Sequence, residues 1–405
     1  MAKACLPMGK FRLAIFNTQP PQLYFGGVET RIIETTKRLT DQADITVYSG
    51  TKAGFKKPSI INGVNFVPCH STDRLFPLDN WVFNRSISKK ASSFEADVFE
   101  AHTVSGYGLS EALKKQGIKK PFIQTIHGVL EDEYEQARQS GYKSFRERVA
   151  NFSMHRLAKL EEEAAKNATL VVTISNYSLE KIRQLYGVEE LNIRVVPNGV
   201  DPEKFKPFPN SAVAKRQFGL DDEPCVLFVG SLIPRKGLSF LVEAAEKIVK
   251  KHAETKFMIV GEGPLKNWLL GTLEAAHLYG NFKFLGNVKE GTLVAAYNCA
   301  DLLVLPSIQE GQGIVLLEAE ASAKPVVAFN VGGVNEAVRD GETGLLVNRG
   351  DTDELADAVM KLLSDKGLSE EMGANARAFV SENFTWDLCA RRMLQVYHEA
   401  LARQG

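Results

Sequence analysis

Short continuous apolar runs alternate with longer amphipathic stretches along most of the chain. The runs are rich in Val, Ile, Leu and Phe and are bounded by turn residues, and the stretches between them are helical in pattern. A strand of a parallel sheet is buried on both faces, so it reads as an uninterrupted apolar run. The predicted strands are Phe11–Phe16, Ile45–Tyr48, Val98–Ala101, Phe122–Ile126, Leu170–Ile174, Val226–Val229, Phe257–Val260, Phe282–Leu285, Leu302–Leu305 and Pro325–Ala328. This pattern predicts an α/β protein with parallel sheets between layers of helices.

A segment rich in proline and asparagine divides this series. Its sequence, VPNGVDPEKFKPFPN at 196–210, resists both helix and strand. A chain of 405 residues also exceeds what one ordinary core organises. We therefore predict two Rossmann-like, doubly wound domains, 1–200 and 201–385, that face one another across a cleft. A last helix within 386–405 is expected to cross back to the first domain.

The amino-acid composition indicates a globular protein. Hydrophobic residues make up 44% and charged residues 24% of the chain, as in a globular protein. The formal net charge is zero, but Lys and Arg outnumber Asp and Glu in residues 1–200 and the reverse holds in residues 201–405. This balance argues against an extended nucleic-acid surface and permits an anionic partner on the first half.

Cysteine usage and hydropathy bear on the compartment. The five cysteines are an odd number without a C-x-x-C pair, which favours reduced thiols over a disulfide framework or a zinc site. No apolar run approaches the ~20 residues that cross a bilayer, and FRLAIF at 11–16 is interpreted as a strand and not as part of a signal peptide. We expect a cytoplasmic protein, and the sequence leaves its oligomeric state open.

Two glycine turns stand before predicted helices. Gly26 and Gly27 precede the first helix, without the G-x-G-x-x-G spacing of dinucleotide-binding proteins. The second turn, GQG at 311–313, lies between the strand ending at Leu305 and a helix predicted over 314–323. A helix N-terminus at the carboxyl edge of a parallel sheet offers free N–H groups and a positive dipole end to a diphosphate.

Charged residues stand next to such turns. Glu310 precedes the predicted helix over 314–323 and Glu318 lies about one turn inside it, so the two carboxylates could bind a polyhydroxyl ligand from two sides. Arg235 and Lys236 follow another strand and could neutralise a leaving diphosphate. The alternatives are a capping acid with a solvated helix face for the glutamates, and solvated surface charges for the cations.

Nine motifs in order resemble glycosyltransferase family 4, whose members are retaining, nucleotide-sugar-dependent enzymes with the two-domain GT-B fold. The resemblance extends from Phe11 to about Trp386. The motifs are GGVE (26–29), TIHG (125–128), VPNGVD (196–201), FVGSLIPRKG (228–237), IVGEGP (259–264), YNCADLLVLPS (297–307), EGQGIVLLEAEA (310–321), GGVNEAV (332–338) and DGETGLLV (340–347). The resemblance implies a glycosyltransferase that needs no cofactor, because the nucleotide sugar is its substrate.

The resemblance also implies roles for individual residues. Glu310 and Glu318 match the family's E-x7-E motif, in which the first glutamate contacts the hydroxyls of the donor sugar and the second contacts the ribose. Lys236, with Arg235 beside it, would bind the donor diphosphate, and the backbone N–H of Gly27 would meet it from across the cleft. The further donor-binding positions are Gly26, Ser231, Gly263, Pro264, Asn287, Val288, Gly311, Gln312, Gly313 and Ile314.

Two histidines follow predicted strands of the first domain. His127 comes after Phe122–Ile126 and would project into the cleft, where matching family histidines touch the reacting sugar or the acceptor. His102 follows Val98–Ala101 at an equivalent edge and is expected to line the acceptor pocket. The alternative for a single histidine is a packing role.

The chain departs from the family pattern at two positions and carries one motif that suggests a metal. Ser231 stands where the family commonly has arginine, so Arg235 is a candidate for that diphosphate contact, and Gln312 replaces an aromatic or apolar residue. DTD at 351–353 has the D-x-D pattern of metal-dependent sugar transferases, but Asp351 precedes an amphipathic helix and is predicted to be its N-cap. We therefore expect no essential metal.

The predicted reaction is transfer of a sugar from a UDP- or GDP-sugar to an acceptor hydroxyl with retention of configuration. A nucleotide-sugar 2-epimerase with the same architecture and a non-catalytic nucleotide-sugar binder are the alternatives. The acceptor is undetermined, and glycolipids, polysaccharides, protein-linked glycans and small molecules are all candidates. Basic segments at 84–90, 114–120 and 142–159 could bind an anionic lipid or a membrane surface, but solvated helix faces are the commoner explanation of each.

Overall fold

The computed structural model describes residues 9–24, 26–73, 77–139 and 145–404, with only the backbone for residues 137, 139 and 145–151. The basic segment at 142–159 therefore lies partly outside the described residues, and Cys5 lies wholly outside them. The chain divides into two compact units. Unit 1 comprises Met1–Asn198 together with Trp386–Gly405, and unit 2 comprises Gly199–Thr385.

Unit 1 is built on an eight-stranded sheet with the order β3-β4-β2-β1-β5-β6-β7-β8. All neighbours pair in parallel except β3 and β4, which pair antiparallel. The strands are β1 Phe11–Asn17, β2 Ala43–Gly50, β3 Ser59–Ile61, β4 Val64–Cys69, β5 Val98–His102, β6 Phe122–Ile126, β7 Leu170–Thr173 and β8 Ile193–Val195. The first helices are α1 Gly27–Thr36, α2 Leu78–Lys89, α3 Tyr107–Gln116, α4 Leu130–Gln139, α5 Phe145–Lys166 and α6 Asn176–Lys181.

Unit 2 contains a six-stranded, all-parallel sheet with the order β11-β10-β9-β12-β13-β14. Its strands are β9 Cys225–Val229, β10 Lys256–Val260, β11 Phe282–Gly286, β12 Leu302–Leu305, β13 Val326–Phe329 and β14 Gly344–Val347. Its helices are α7 Ser211–Gln217, α8 Leu238–Lys251, α9 Lys266–Ala275, α10 Glu290–Cys299, α11 Ile314–Ala321, α12 Val334–Ala337, α13 Thr352–Ser364 and α14 Lys366–Asn383. The chain ends with α15, Trp386–Ala402, which belongs to unit 1.

Single helical turns lie between these elements. Turns of 3₁₀-helix occur at Lys52–Gly54, Ala91–Ser93, Thr103–Ser105, Glu190–Asn192, Pro234–Lys236 and Tyr279–Asn281, and a π-helical turn occurs at Ile182–Tyr186.

The buried side chains of unit 2 explain why its strands read as continuous apolar runs. Leu227 and Val229 of β9 belong to one hydrophobic cluster, and Val226 and Phe228 of the same strand belong to another. Successive side chains of a strand point to opposite faces of a sheet. Helices therefore cover both faces of the sheet, and neither face of β9 admits polar residues.

The sequence pattern missed four strands and misplaced the end of one helix. Strands β3, β4, β8 and β14 were not predicted, since they are short or only half buried; Ile60 of β3, for example, is 73% exposed. The helix predicted over 314–323 ends at Ala321, because Ala323 adopts a left-handed backbone with φ of 55°. The predicted strand Pro325–Ala328 is Val326–Phe329, and the other predicted strands differ by at most a few end residues.

Candidate functional site

The strand order of unit 2 reverses direction between β9 and β12. The chain proceeds outward from β9 through β10 to β11, returns to β12 beside β9, and proceeds through β13 to β14 on the other side. The loops after β9 and β12 therefore leave neighbouring strands at the same carboxyl edge and run to opposite faces. In open α/β sheets such a switch point is where ligands bind.

A buried ion pair joins these two loops. Lys236 Nζ lies 2.6 Å from Glu310 Oε2, and the two side chains are 12% and 11% exposed. Arg235 Nη1 lies 3.8 Å from Glu310 Oε1 and donates to the carbonyl oxygen of Gln309 at 3.2 Å. Burial acts to raise the pKa of Glu310, but the charges of Lys236 and Arg235 outweigh it and hold that pKa below its ordinary value. The site therefore contains a carboxylate and two cations.

Glycines allow the backbone segments of this site to approach closely. Gly237 has φ of 69°, and a Cβ there would overlap the carbonyl oxygen of Pro306. Gly332 has φ of 56°, and a Cβ there would overlap the carbonyl oxygen of Glu310. The Gly333 N–H donates to that same oxygen at 3.0 Å. These contacts fix the backbone of the residues that carry the charges.

The helix that begins in this loop, α11, leaves its N-terminus available to an anion. It starts at Ile314 after Gly313, whose φ is 90°, and within the described chain no side chain caps it. The loop residues Gly311 and Gln312 are buried, and the Gln312 side chain is 1% exposed. The amide of Gln312 therefore lies inside the loop and not on its outer surface.

Glu318 has a different partner from Glu310. Its Oε2 accepts a hydrogen bond of 2.7 Å from the Tyr297 hydroxyl on α10. Burial raises the pKa of Glu318 to about 7. Tyr297 opens the motif YNCADLLVLPS, but its role as the partner of Glu318 was missed. The sequence carries no signal for it, since 21 residues separate the two side chains.

The other predicted donor-binding residues of unit 2 follow β9, β10 and β11 at the same edge of the sheet. Ser231 follows β9, Gly263 and Pro264 follow β10, and Asn287 and Val288 follow β11. Backbone hydrogen bonds join these loops, from Leu232 N to Glu262 O at 3.0 Å and from Gly261 N to Gly286 O at 2.8 Å. The structure thus brings these residues to the carboxyl edge that also carries Lys236.

In unit 1 the two predicted histidines are in contact. His102 is the last residue of β5, His127 follows the neighbouring β6, and His102 Nδ1 lies 2.9 Å from His127 Nε2. Burial lowers the pKa of His102 to about 4 and that of His127 well below its ordinary value. His102 is 2% exposed, whereas His127 is half-buried, so only His127 of the two faces solvent to any extent. Both rings are neutral at neutral pH.

Gly26 and Gly27 lie where the sequence placed them, at the start of the first helix. Gly27 is the first residue of α1 and Gly26 is its N-cap, in extended conformation. Glu29 in the first turn accepts a hydrogen bond of 3.1 Å from Asn17 Nδ2 at the end of β1. The glycine turn is therefore held against the carboxyl end of β1.

Sequence reasoning missed one further polar group next to the histidines. Glu100 lies in the middle of β5, is 2% exposed, and accepts hydrogen bonds from Thr125 and from Tyr397 on α15. A charged residue inside the apolar run VFEAH was the available signal, because such residues are seldom fully buried without partners.

Two further predictions concern metals and membranes. Asp351 caps α13 and accepts from the N–H groups of Asp353 and Glu354, which confirms its predicted structural role. Within the described residues no group of three or more His, Cys, Asp or Glu side chains could hold a metal ion. Over the same part of the chain, no helix combines the length and the apolar character needed to span a bilayer.

Two protein-family models together match most of the chain. Glycosyl transferases group 1 matches residues 211–379, and Glycosyltransferase Family 4 matches residues 25–204. The chain is also 31% identical over 291 residues to an uncharacterized glycosyltransferase of Methanocaldococcus jannaschii, with 71% of each chain covered.

Relatives with named activities match over shorter lengths. Identity is 36% over 250 residues to the D-inositol 3-phosphate glycosyltransferase of Nocardia farcinica, covering 60% of this chain and 55% of that one. Sequence identity is 33% over 236 residues to the GDP-mannose-dependent α-(1-6)-phosphatidylinositol monomannoside mannosyltransferase of Mycobacterium tuberculosis. This match covers 56% of this chain and 61% of the mannosyltransferase. The chain thus spans less than two thirds of each of these two relatives.

Solved structures share the fold over nearly the whole chain. Sucrose-phosphate synthase from Thermosynechococcus elongatus aligns with a TM-score of 0.84 at 22% identity, covering 97% of this chain and 100% of that one. The Anabaena protein HepE in complex with UDP-glucose aligns with a TM-score of 0.74 at 20% identity, covering 96% and 100%. The predicted GT-B fold is confirmed.

Proposed function

The chain belongs to the family 4 glycosyltransferases, and from this premise we propose that it transfers a sugar from a nucleoside-diphosphate sugar to an acceptor hydroxyl with retention of configuration and without an essential metal. The donor is a UDP- or GDP-sugar. HepE was crystallised with UDP-glucose, and one relative is GDP-mannose-dependent, so both nucleotides are candidates.

The observation that carries this proposal is the buried Lys236–Glu310 ion pair at the switch point of unit 2. A lysine held beside an unblocked helix N-terminus provides positive charge for a diphosphate, and Arg235 adds a second cation. A carboxylate kept ionised by these cations accepts hydrogen bonds from sugar hydroxyls. Charge for the leaving group and an acceptor for the sugar therefore meet in one site.

In the proposed reaction, the bond between the anomeric carbon and the β-phosphate oxygen breaks, and a bond from the acceptor oxygen forms on the same face of the sugar. The departing diphosphate receives the acceptor proton. Lys236 and Arg235 stabilise the negative charge that develops on the leaving group, which is the main electrostatic demand of this step. Glu310 orients the sugar and Glu318 binds the ribose.

The two units have separate roles in this proposal. Residues 201–385 bind the donor, and residues 1–200 bind the acceptor through the edge that carries His127 and His102. The names of two relatives include inositol phosphate and phosphatidylinositol mannoside acceptors. The second name supports a glycolipid acceptor and the first a small-molecule acceptor. Our proposal places the transfer in glycolipid, polysaccharide or glycoconjugate synthesis, in the cytoplasm and with peripheral association at the membrane.

Donor binding tests the role of Lys236. A ligand at 100 times its Kd adds ~2.7 kcal/mol to the free energy of unfolding, so a thermal-shift series with UDP-, GDP- and ADP-sugars should identify one stabilising donor. Lys236→Met should abolish that stabilisation, measured against the melting temperature of the variant without donor. Lys247→Met is the matched control, because Lys247 pairs with Asp353 between α8 and α13 and should leave the donor response unchanged.

Four results would contradict the proposal. Donor stabilisation that persists in Lys236→Met would show that the Lys236–Glu310 ion pair is not part of the donor site. Loss of transfer in EDTA, restored by a divalent cation, would overturn metal independence, and an inverted anomeric configuration in the product would overturn retention. Conversion of the donor sugar in the absence of any acceptor would instead indicate an epimerase.

A further inference from the structure

A row of neighbouring polar side chains is buried in unit 1 and ends at His127. It runs from Tyr397 on α15 through Glu100 and His102 on β5 to His127 after β6. The Tyr397 hydroxyl lies 2.5 Å from Glu100 Oε2, and His102 Nδ1 lies 2.9 Å from His127 Nε2. Between these two hydrogen bonds, His102 Nε2 lies 3.4 Å from Glu100 Oε1 as a close electrostatic contact, without a hydrogen-bond partner among the described residues. Of the four side chains, only that of His127 is not fully buried.

Two hydroxyl groups donate to the carboxyl oxygens of Glu100. Thr125 Oγ1 donates to Glu100 Oε1 at 2.6 Å, and the Tyr397 hydroxyl donates to the other oxygen. Burial raises the pKa of Tyr397 well above its ordinary value, so its proton stays on the phenol. Arg31 on α1 is 1% exposed and donates to the carbonyl oxygen of Val196 at 2.8 Å, and its charge helps to lower the pKa of both His102 and His127.

The position of Glu100 determines which nitrogen of each imidazole carries the proton. A carboxylate attracts an N–H and repels a lone pair, so the proton of His102 belongs on Nε2, which faces Glu100. His102 Nδ1 then carries the lone pair and accepts a hydrogen bond from His127 Nε2–H. Since burial keeps both rings neutral, His127 has no second proton, and its Nδ1 carries a lone pair.

We infer that Glu100 and His102 are positioning residues that fix the tautomer of His127, so that His127 Nδ1 accepts a hydrogen bond from a hydroxyl of the acceptor. This inference rests on the proposed transferase function and specifies the chemistry of its unit 1 edge. His127 is the residue that touches substrate, and Tyr397 links α15 to the same row. A hydroxyl donor is the ligand class that such an acceptor atom selects.

Glu100→Gln is the variant that separates this role from packing. An amide has nearly the shape of the carboxylate but presents an N–H₂ group that can face His102 Nε2, which then must carry the lone pair. The protons shift along the row, and His127 Nδ1 becomes a donor. Tyr397→Phe is the matched control, because it removes a hydrogen bond from Glu100 but leaves the carboxylate in place.

The tautomers can be measured without any substrate. Long-range ¹H–¹⁵N correlation spectra of protein labelled at its seven histidines distinguish Nδ1–H from Nε2–H rings, and His127→Gln and His102→Gln variants assign the signals. We expect both rings as Nε2–H tautomers in the unaltered protein and in Tyr397→Phe. In Glu100→Gln we expect both as Nδ1–H tautomers, with kcat reduced about 100-fold and donor KM unchanged.

The outcomes separate this inference from the proposed function. A proton on His127 Nδ1 in the unaltered protein overturns the tautomer assignment, whether or not the Glu100→Gln variant folds. Transfer by a folded Glu100→Gln variant at the unaltered rate overturns the positioning role. Expected tautomers in a protein that binds no nucleotide sugar would instead overturn the function on which the inference rests.

Discussion

At the residue scale, the site of unit 2 depends on backbone positions that admit no side chain. Gly237 follows Lys236 directly, forms the N-cap of α8 and adopts φ of 69°. Its α-carbon faces the carbonyl oxygen of Pro306, the residue after β12. Because this contact joins the loop that carries Lys236 to the loop that carries Glu310, its loss should affect the ion pair as well as stability.

Gly237→Ala should therefore destabilise the protein more than an alanine at an open left-handed position. A left-handed backbone alone costs ~1–2 kcal/mol for a residue with a Cβ, and overlap with a backbone oxygen should bring the total above ~3 kcal/mol. Gly341→Ala is the control, since Gly341 has φ of 75° and no atom lies within 4 Å of the position that a Cβ would take. Urea unfolding measures both variants, and equal losses would show that the approach to Pro306 has no energetic weight.

At the element scale, a buried glutamate joins two helices of unit 1. Glu161 on α5 accepts from the backbone N–H of Leu130, the first residue of α4, at 3.1 Å and from the Tyr186 hydroxyl at 2.6 Å. Its other oxygen has no hydrogen-bond partner among the described residues. Burial raises the pKa of Glu161 to about 8, so the side chain is protonated in the folded protein at neutral pH.

This raised pKa gives stability a defined pH dependence. In the unfolded chain Glu161 ionises near its ordinary pKa of 4.5. The contribution of protonated Glu161 to the free energy of unfolding is therefore complete below that pH and is lost as pH rises through about 8. Glu161→Gln removes the titration. The melting temperature of this variant relative to the unaltered protein should therefore increase steadily from about pH 5 to about pH 8.5.

The neighbouring Glu162→Gln variant provides the control for that experiment. Glu162 pairs with Lys166 at 2.6 Å and with Lys159 at 3.0 Å, and these cations outweigh partial burial and lower its pKa. Its melting temperature relative to the unaltered protein should not rise across the same pH range. A flat difference for Glu161→Gln would show that Glu161 is ionised in the folded protein.

At the scale of the whole molecule, the end of the chain completes the unit in which the chain begins. Helix α15 packs on α1 and β5, and Phe11 of β1 lies 5.9 Å from Tyr397 between ring centroids. Arg194 of β8 donates to both oxygens of Glu399, at 2.5 and 2.8 Å. Trp386, Met393 and Tyr397 are each at most 3% exposed.

Deletion of residues 386–405 should therefore destabilise unit 1 selectively. The deletion removes three large buried side chains, and the loss of each such side chain from a core lowers the free energy of unfolding by ~2–5 kcal/mol. It also leaves Glu100 buried without its partner Tyr397. In scanning calorimetry the unit 1 transition should move to a lower temperature or disappear, while the transition of unit 2, which ends at Thr385, remains.

A shorter deletion tests whether this loss comes from the packed helix. Removal of residues 404–405 takes away only the end of the chain and keeps Arg403, which pairs with Glu399 at 2.8 Å and donates to Asn192 Oδ1 at 2.7 Å. The calorimetric trace should then match that of the full chain. A full deletion that leaves both transitions unchanged would mean that α15 adds nothing to unit 1.

The elements that could be predicted from the sequence are strands buried on both faces and helix ends fixed by a local interaction. Strands such as Phe122–Ile126 and Leu302–Leu305 were located without error because both their faces are buried, and Asp351 was identified as a cap because N-capping is a local interaction. Strand β4 was missed because Asn65 and Pro68 interrupt its apolar pattern at positions that are exposed or half-buried.

The sequence by itself determined the α/β alternation, the residue types at the carboxyl edges of the strands and the motifs that identify the family. Only the tertiary structure decided which of these residues meet. Lys236 and Glu310 are 74 residues apart, and Tyr397 and Glu100 are 297 apart. Hydrophobic burial is non-directional and forms strands and helices wherever apolar runs occur, whereas these contacts depend on strand order and helix packing, which pair segments remote in sequence.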